Sequence, residues 1–231
     1  MNHPVRVLID GKALYDASRY RGIGRYLRNV VSGLAACNEL GVSVLVKRGT
    51  PLPPGAREMV VHRRAPGRWA SREHDLLLPL DLRRAAFDVF HSPALDPPEH
   101  CKRPWVQTLH DVSPLVLRAP AGSPEWTSVT RRWRRQRPLF SNATAVVAVS
   151  KWSADRGIEM LGLDPKRVHV IHHGVEPAFH PATVPAADPP FLLLVSEFDP
   201  RKGYDVAMEV VARLADDGRP HQLKIVGRIA P

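Results

Sequence analysis

The chain has 231 residues, of which 44% are hydrophobic and 24% are charged. This composition is typical of a folded globular protein and excludes disorder as the default. Lysine and arginine number 33 against 23 aspartates and glutamates, which gives a net charge of +10. That excess favours polyanionic partners such as phosphates, anionic lipid headgroups or nucleic acid. No apolar run approaches the roughly 20 residues that a membrane span requires, so we expect no transmembrane helix.

The N-terminal residues and the two cysteines bear on where the protein is found and on whether it has disulfides or a metal site. Met1 leads directly into Val7-Leu8-Ile9-Asp10, a run too short for a secretory signal, so we expect a cytoplasmic protein. Cys37 and Cys101 are the only cysteines, and neither stands in a cluster with the spacing of a zinc site. We therefore expect neither a disulfide framework nor a bound metal.

Alternating strands and helices are predicted from the start of the chain. Residues 5–10, 42–46 and 60–61 are short β-branched and aliphatic runs that predict buried strands. Between the first two runs, apolar residues recur at three- and four-residue spacing, as in an amphipathic helix. These residues are Ile23, Leu27, Val30, Val31 and Leu34. The pattern predicts a strand, an eleven-residue loop and a helix.

Two later runs each end in a histidine at the expected carboxyl end of a strand, His91 after residues 88–90 and His110 after residues 105–109. That edge is where open α/β sheets bind their ligands. Ser123-Pro124-Glu125 has the composition of a helix start.

Further strands and a capped helix are predicted beyond this point. Residues 143–149 predict a buried strand, and residues 168–171 predict another. Between them, Ser150 is expected to cap a helix that ends at Gly162.

A proline-rich stretch marks the expected domain boundary. Residues 177–190 contain five prolines, which is the composition of a linker. We place a Rossmann-like, doubly wound α/β domain at residues 1–176 and a βαβ portion of a second such domain at residues 191–231. A lone βαβ unit leaves a sheet face uncovered, so we expect further chain, a homodimer or a partner chain to complete it.

The segment Gly22-Ile23-Gly24-Arg25-Tyr26 lies where the first loop meets the first long helix. Its glycines let the backbone approach a ligand, and the helix N-terminus offers free N–H groups to a phosphate. Leu27 occupies the third glycine position, so the segment is a weak match to a dinucleotide fingerprint. The alternative is that the glycines only permit a tight entry into the helix.

Two strand ends carry polar residues suited to substrate binding. His110 and Asp111 follow one strand, where a histidine can hydrogen-bond a substrate hydroxyl or titrate near neutral pH. The alternative is a helix-capping or loop-pinning pair, with Asp111 structural. Arg201 and Lys202 follow the first strand of the second domain, where two cations can neutralise a diphosphate or form a solvated pair.

A predicted helix is unusually rich in arginine around Trp133. Such a surface can contact nucleic acid or the inner face of an anionic membrane, or it can be a solvated face beside a tryptophan anchor. No nucleic-acid-reading motif accompanies it, so nucleic acid is not favoured. The basic residues are Arg131, Arg132, Arg134, Arg135 and Arg137.

Four segments in this order resemble the large "group 1" family of retaining GT-B glycosyltransferases, particularly its mannosyltransferase branch of bacterial polysaccharide assembly. They are residues 22–26, 110–114, 148–150 with 168–175, and 199–203. The resemblance implies an N-terminal acceptor domain and a C-terminal nucleotide-sugar domain. It also implies transfer with retention, with a nucleotide sugar as co-substrate and without a metal or other cofactor.

The resemblance also assigns roles by position. His110 and Asp111 take catalytic positions, with His110 near the transferred sugar or the acceptor. The donor-binding positions are Gly22, Gly24, Arg201 and Lys202. The positions that line the acceptor side or support it structurally are Arg25, Tyr26, Ser150 and Gly174.

The chain departs from the family pattern at three points. It has His173 where the family often has Asn before a glycine, and Glu197 where a small or basic residue is usual. The family's paired glutamates and its base and ribose contacts are expected after Pro231. A non-catalytic acceptor- or anion-binding module, acting at a membrane or with a partner, therefore stays open as an alternative function.

Overall fold

The computed structural model describes residues 3–60, 73–94, 97–116, 133, 136–181, 191–196 and 202–227, with the side chains of residues 73–76 and 114 excepted. The chain divides into two compact units, Met1–Glu176 and Pro177–Pro231. The prolines at 185, 189 and 190 lie outside the described residues.

In the described part of the chain, the first unit contains one sheet of seven parallel strands in the order β3-β2-β1-β4-β5-β6-β7. The strands are β1 Val5–Asp10, β2 Leu40–Val46, β3 Arg57–Val60, β4 Val89–Ser92, β5 Trp105–Leu109, β6 Ala145–Ala148 and β7 Val168–Val170. The order reverses between β1 and β4, and the crevice at such a reversal is where doubly wound sheets bind ligands.

Helices connect these strands across both faces of the sheet. They are α1 Lys12–Tyr15, α2 Gly22–Ala35, α3 Glu73–Arg84, α4 Ser113–Val116 and α5 Lys151–Leu161, with 3₁₀ turns at Ala17–Tyr20 and Pro165–Arg167. Residues 136–140 are also helical. The helix start expected at Ser123-Pro124-Glu125 lies outside the described residues. None of the described helices is long and apolar enough to cross a membrane.

The prediction of an eleven-residue loop between β1 and α2 is wrong, because most of these residues are helical. The side chain of Asp10 accepts a hydrogen bond from the Lys12 N–H at 3.0 Å, and that of Asp16 accepts one from the Ser18 N–H at 2.7 Å. These bonds satisfy N–H groups that a helical turn leaves without an intrahelical partner, which favours α1 and the 3₁₀ turn after it.

The core has two hydrophobic clusters, one on each face of the sheet. Leu8 of β1 belongs to the first cluster and its neighbour Ile9 to the second, as the alternation of side chains along a strand requires. Both side chains are fully buried. Burial on both faces explains why the strands read as continuous apolar runs, which is typical of a parallel sheet.

Helix α2 packs on the second cluster through the apolar stripe that the sequence predicts. Leu27 and Val31 are fully buried there, and Ile23 and Leu34 are partly buried against them. Gly24 lies on the same inner face. A Cβ at this position would stand 2.5 Å from the Ser18 carbonyl oxygen and 2.7 Å from the Arg19 Cα, so only glycine lets the helix approach the preceding turn this closely.

Both predicted ends of helix α5 are confirmed. The Ser150 side chain accepts a hydrogen bond from the Ser153 N–H at 3.0 Å, which caps the first turn. Gly162 ends the helix in the left-handed conformation, with φ of 68°.

The second unit contains the predicted βαβ arrangement. Strand β8 Phe191–Val195 and strand β9 Gln222–Val226 pair in parallel and are joined by α6 Tyr204–Asp216. Several large apolar side chains of this unit are exposed, among them Leu193, Val195, Met208 and Ile225. Completion of this unit by further chain, a second copy or a partner stays a prediction.

The close approach at Gly24 predicts opposite effects for two substitutions in the same helix. We expect Gly24→Ala to lower the free energy of unfolding by about 1–3 kcal/mol, because its Cβ meets backbone that cannot yield easily. Gly33→Ala, which has nothing within 4 Å of its Cβ, should raise it by about 0.5–1 kcal/mol. Urea unfolding followed by circular dichroism measures both. An equal effect of the two changes would contradict the packing role of Gly24.

Candidate functional site

The candidate site lies at the carboxyl edge of the sheet, at the reversal between β1 and β4. Strand β1 ends at Asp10, β4 ends at Ser92, and His110 follows the last residue of β5. The segment after β7 brings His173 to the same place, with its ring centroid 5.9 Å from that of His110. The site therefore combines residues from four separate parts of the first unit.

Gly11 brings the chain close to β2 where it leaves β1. Its N–H donates to the Leu45 carbonyl at 3.0 Å, and a Cβ would stand 2.4 Å from the Val46 Cγ1. Any side chain here would force the chain away from β2. Sequence reasoning missed this glycine, although its position directly after the first strand was an available signal.

His110 is held as a neutral imidazole in one tautomer. Its Nε2 lies 2.8 Å from the Pro93 carbonyl oxygen, and because a carbonyl only accepts, Nε2 must carry the proton. Burial lowers the pKa of His110 below its ordinary value, and His173 lowers it further, against the opposing effects of Pro93 and Asp111. At neutral pH, Nδ1 is therefore unprotonated, and no described residue hydrogen-bonds to it.

The residues on either side of Pro93 are held by a buried amide. The Gln107 side chain is fully buried, and its Nε2 donates to the carbonyls of Ser92 at 3.1 Å and Ala94 at 2.5 Å. These bonds hold the two residues that flank Pro93. The hydrogen bond that sets the tautomer of His110 is thus supported from inside the sheet.

Tyr26 packs between the two histidines of the site. Its ring meets the His110 ring edge-on, with centroids 4.9 Å apart and planes at 89°. It meets the His173 ring at the same centroid distance in a tilted arrangement. We call Tyr26, His110 and His173 the ring cluster. His173 is exposed, so one member of the cluster faces solvent.

A buried chain of hydrogen bonds runs from the ring cluster into the sheet. The Tyr26 hydroxyl lies 3.1 Å from the Thr108 Oγ1, which lies 2.9 Å from the His91 Nε2. Burial raises the pKa of Tyr26 and lowers that of His91 to about 4. Sequence analysis identified His91 as a strand-end histidine but gave it no role. It missed Thr108, although a polar side chain inside an apolar strand could have drawn attention to it.

Asp111 does not join His110 in the ring cluster. Its Oδ1 accepts a hydrogen bond from the Ser113 N–H at 2.8 Å, which pins the turn into α4 as the loop-pinning alternative supposes. Ser150 likewise has the capping contact described above, and its hydroxyl also donates to the Ser153 Oγ at 3.0 Å. Ser153 in turn donates to the His110 carbonyl at 2.9 Å, so the Ser150 cap supports the site indirectly.

The remaining predicted residues of the first unit lie around this edge. Gly22 begins α2 and is exposed, with open space around it. Arg25 forms an ion pair with Glu176, with Nε and Oε1 3.1 Å apart. Gly174 is exposed and directly follows His173. The geometry around Gly24 gives that residue a packing role, and its predicted role in donor binding stays a prediction.

The predicted cations divide between described and undescribed residues. Lys202 is exposed in the second unit, ahead of Gly203 and the first turn of α6. Arg201 lies outside the described residues. Of the five arginines of the predicted basic surface, Arg137 is described and exposed, and the other four lie outside the described residues. These four are Arg131, Arg132, Arg134 and Arg135. Within the part of the chain that the structure describes, no three His, Cys, Asp or Glu side chains cluster in a way that could hold a metal ion.

The sequence pattern of Glycosyltransferase Family 4 matches residues 20–179, which include the whole ring cluster and its hydrogen-bond chain. The chain belongs to Glycosyltransferase Family 4. No curated protein matches it in sequence at a significant level.

The chain is similar to three solved structures, one of them with a TM-score above 0.5. A sucrose-phosphate synthase from Thermosynechococcus elongatus is 14% identical with a TM-score of 0.60, over 99% of this chain and 71% of that one. Anabaena HepE, in complex with UDP and glucose, is 15% identical with a TM-score of 0.47, over 97% of this chain and 69% of that one. A glycosyltransferase from Rickettsia africae is 12% identical with a TM-score of 0.48, over 99% of this chain and 69% of that one.

The match to the sucrose-phosphate synthase, together with the parallel sheet, confirms the predicted fold class: α/β and Rossmann-like, of the GT-B type. By family and fold, the Family 4 chain is a glycosyltransferase.

The buried imidazole of His91 predicts how the stability of this Family 4 chain depends on pH. The pKa of His91 is about 4 in the folded protein and about 6.5 in the unfolded chain. Between these values the unfolded chain binds more protons, so stability is lost as the pH falls. We expect His91 to account for a loss of about 2 kcal/mol in the free energy of unfolding between pH 7 and pH 5.

Urea unfolding of the wild type and of His91→Gln across this pH range measures that loss. The glutamine amide can still hydrogen-bond to Thr108 but cannot titrate, so the variant should depend less steeply on pH. A variant with the same pH dependence as the wild type would show that another group is responsible.

Proposed function

We propose that this chain transfers a sugar from a nucleotide-sugar donor to an acceptor hydroxyl, and that His110 binds the reacting hydroxyl or the transferred sugar. The observation that carries the proposal is the unprotonated Nδ1 of His110, which has no described partner, at the ligand-binding edge of a glycosyltransferase fold. A neutral imidazole nitrogen accepts a hydrogen bond from a hydroxyl, and it can take up the proton as that oxygen becomes bonded to carbon.

The ring cluster suits a carbohydrate ligand. The Tyr26 and His173 rings lie beside the His110 imidazole, and sugars likewise combine C–H faces with hydroxyl groups. A small number of fixed polar groups among apolar surfaces is the usual composition of a small-molecule site. The neutral state of His110 also leaves a ring nitrogen that can accept the hydrogen bond or the proton of the hydroxyl, which a protonated imidazole cannot do.

The transfer itself must balance around the anomeric carbon. A bond forms between the acceptor oxygen and that carbon, and the bond from the carbon to the diphosphate oxygen breaks. The diphosphate leaves with the electron pair and becomes more negative, so cations near it stabilise the transition state. We propose Arg201 and Lys202 for this role, because they precede α6, whose N-terminus carries partial positive charge.

The finer features of the proposal rest on the resemblance to the group 1 family. They are a hexosyl donor such as a mannosyl nucleotide, retention of the anomeric configuration, and no need for a metal. The acceptor is proposed to be a glycan, a lipid-linked sugar or a small molecule. We propose a cytoplasmic protein that contacts the inner face of the membrane, and the net charge of +10 supports contact with anionic lipid headgroups there.

Substitution of His110 tests the acceptor side of the proposal. With a panel of nucleotide sugars and hydroxyl acceptors, we expect His110→Ala to lower the transfer rate at least about 100-fold, because the hydroxyl loses its hydrogen-bond acceptor. His100→Ala is the matched control, since His100 is exposed and precedes the amino end of β5 at the opposite edge of the sheet. Equal rates for His110→Ala and wild type would remove His110 from the mechanism.

Calorimetric titration with nucleotides and nucleotide sugars tests the donor side. We expect one donor to bind the wild type, and the double variant Arg201→Ala/Lys202→Ala to weaken that binding at least about tenfold, because the proposal gives both cations the role of binding the diphosphate. Arg213→Ala is the control, since Arg213 is exposed in the last turn of the same helix. Undiminished donor binding by the double variant would contradict the assignment.

A further inference from the structure

The hydrogen-bond chain below the ring cluster joins three elements that the sequence keeps far apart. Tyr26 lies on α2, Thr108 on β5 and His91 on β4. Thr108 is fully buried, so its hydroxyl has no access to water. Its two neighbours are the Tyr26 hydroxyl at 3.1 Å and the His91 Nε2 at 2.9 Å.

We propose that Thr108 and His91 are positioning residues for His110, acting through Tyr26. They anchor the Tyr26 hydroxyl, and the anchored ring holds the His110 imidazole in the orientation that directs Nδ1 to the ligand. The proposal rests on the proposed function of His110, because only that function gives the orientation of Nδ1 a purpose.

The geometry gives each contact a distinct task. The hydrogen bond from His110 Nε2 to the Pro93 carbonyl fixes one corner of the imidazole, and a single hydrogen bond still allows the ring to tilt about it. The edge-on contact with Tyr26, at 4.9 Å between centroids, restricts that tilt. The Tyr26 ring can do this only if its own orientation is fixed.

Thr108 is well suited to fix it. Threonine is branched at Cβ and therefore has few accessible rotamers, and this residue stands inside β5, paired with Val147 of the neighbouring strand. Thr108 also lies only two residues before His110. The residue that anchors Tyr26 and the proposed catalytic histidine therefore belong to the same short segment of chain. Tyr26 thus links α2 to the strand that carries His110.

His91 adds control over the direction of the hydrogen bonds. Thr108 has one hydroxyl proton for two neighbours. If His91 Nε2 donates to Thr108, then Thr108 donates to Tyr26, whose own proton is left for a ligand. If His91 Nε2 accepts, Tyr26 donates to Thr108 and its hydroxyl oxygen can only accept from a ligand. The tautomer of neutral His91 therefore sets what Tyr26 offers at the site.

A purely structural chain, which only satisfies buried polar groups, makes a different prediction. It would affect the stability of the fold but leave the ring of His110 unchanged. Three substitutions separate the positioning role from the purely structural one. Thr108→Val removes the hydroxyl and keeps the shape, whereas Thr108→Ser keeps the hydroxyl. His91→Phe keeps a ring but cannot bond to Thr108.

The control is Thr144→Val. The Thr144 hydroxyl accepts a hydrogen bond from the Trp105 N–H at 3.1 Å, at the other end of β5. The same chemical change is therefore made beside the same strand, away from the ring cluster.

The test is nuclear magnetic resonance of the 231-residue chain with isotope-labelled histidine, with the His110 signals assigned through their loss in His110→Gln. In the wild type we expect His110 as the Nε2–H tautomer with a depressed pKa. Thr108→Val and His91→Phe should reduce the share of that tautomer and shift the pKa of His110 upward, towards the ordinary value of about 6.5. Thr108→Ser and Thr144→Val should retain the wild-type values.

Unchanged His110 signals in folded Thr108→Val would overturn the proposal, as would an equal change in Thr144→Val. The readout needs no substrate, so it is separate from the test of the proposed function. If His110→Ala transfers sugar at the wild-type rate while Thr108→Val still alters the His110 ring, the function fails and the positioning stands. If His110→Ala abolishes transfer while Thr108→Val leaves the ring unchanged, the positioning fails and the function stands.

Discussion

The pairing of β1 with both β2 and β4 is the interaction on which the candidate site depends. Ile9 lies opposite Val44 on one side and His91 on the other, so strands distant in sequence end side by side. All three strands are parallel, and their carboxyl ends therefore form one edge. The chain leaves β1 in one direction and β4 in the other, and a reversal of this kind is where doubly wound sheets bind their ligands.

Polar groups at this edge are buried at a cost that the fold offsets with hydrogen bonds. An unpartnered buried hydroxyl or imidazole costs on the order of 1–3 kcal/mol, which is a large fraction of the stability of a domain. His91, Thr108 and Tyr26 avoid this by bonding to one another. The chain of bonds is thus a necessity of folding as well as a support for the site, and the two roles use the same atoms.

Burial also sets the chemistry of the site. The pKa values of His91 and His110 are both lowered because the surrounding protein disfavours their charged forms. Two neutral imidazoles then lie near an exposed third, His173, in a chain with a net charge of +10. The buried histidines of the site are therefore neutral hydrogen-bonding groups within a cationic protein.

The sequence by itself determined the elements of this protein and much of its fold class. Alternating apolar runs, the stripe on α2 and the Ser150 and Gly162 caps are local signals, because burial periodicity and capping act over a few residues. The sequence also indicated His110 and Tyr26. The loop expected before α2 was wrong because two aspartate side chains organise helical turns there.

Only the tertiary structure decided how those residues work together. The distances from Tyr26 to Thr108 and from Thr108 to His91 depend on strand order and register, which no local pattern encodes. The same holds for Gly24, whose missing side chain makes room for the Ser18 carbonyl, and for Asp111, whose side chain accepts a hydrogen bond from the Ser113 N–H. Sequence motifs indicate which residues lie at the same edge of the sheet. Their contacts follow from packing, because each side chain meets neighbours contributed by distant parts of the chain.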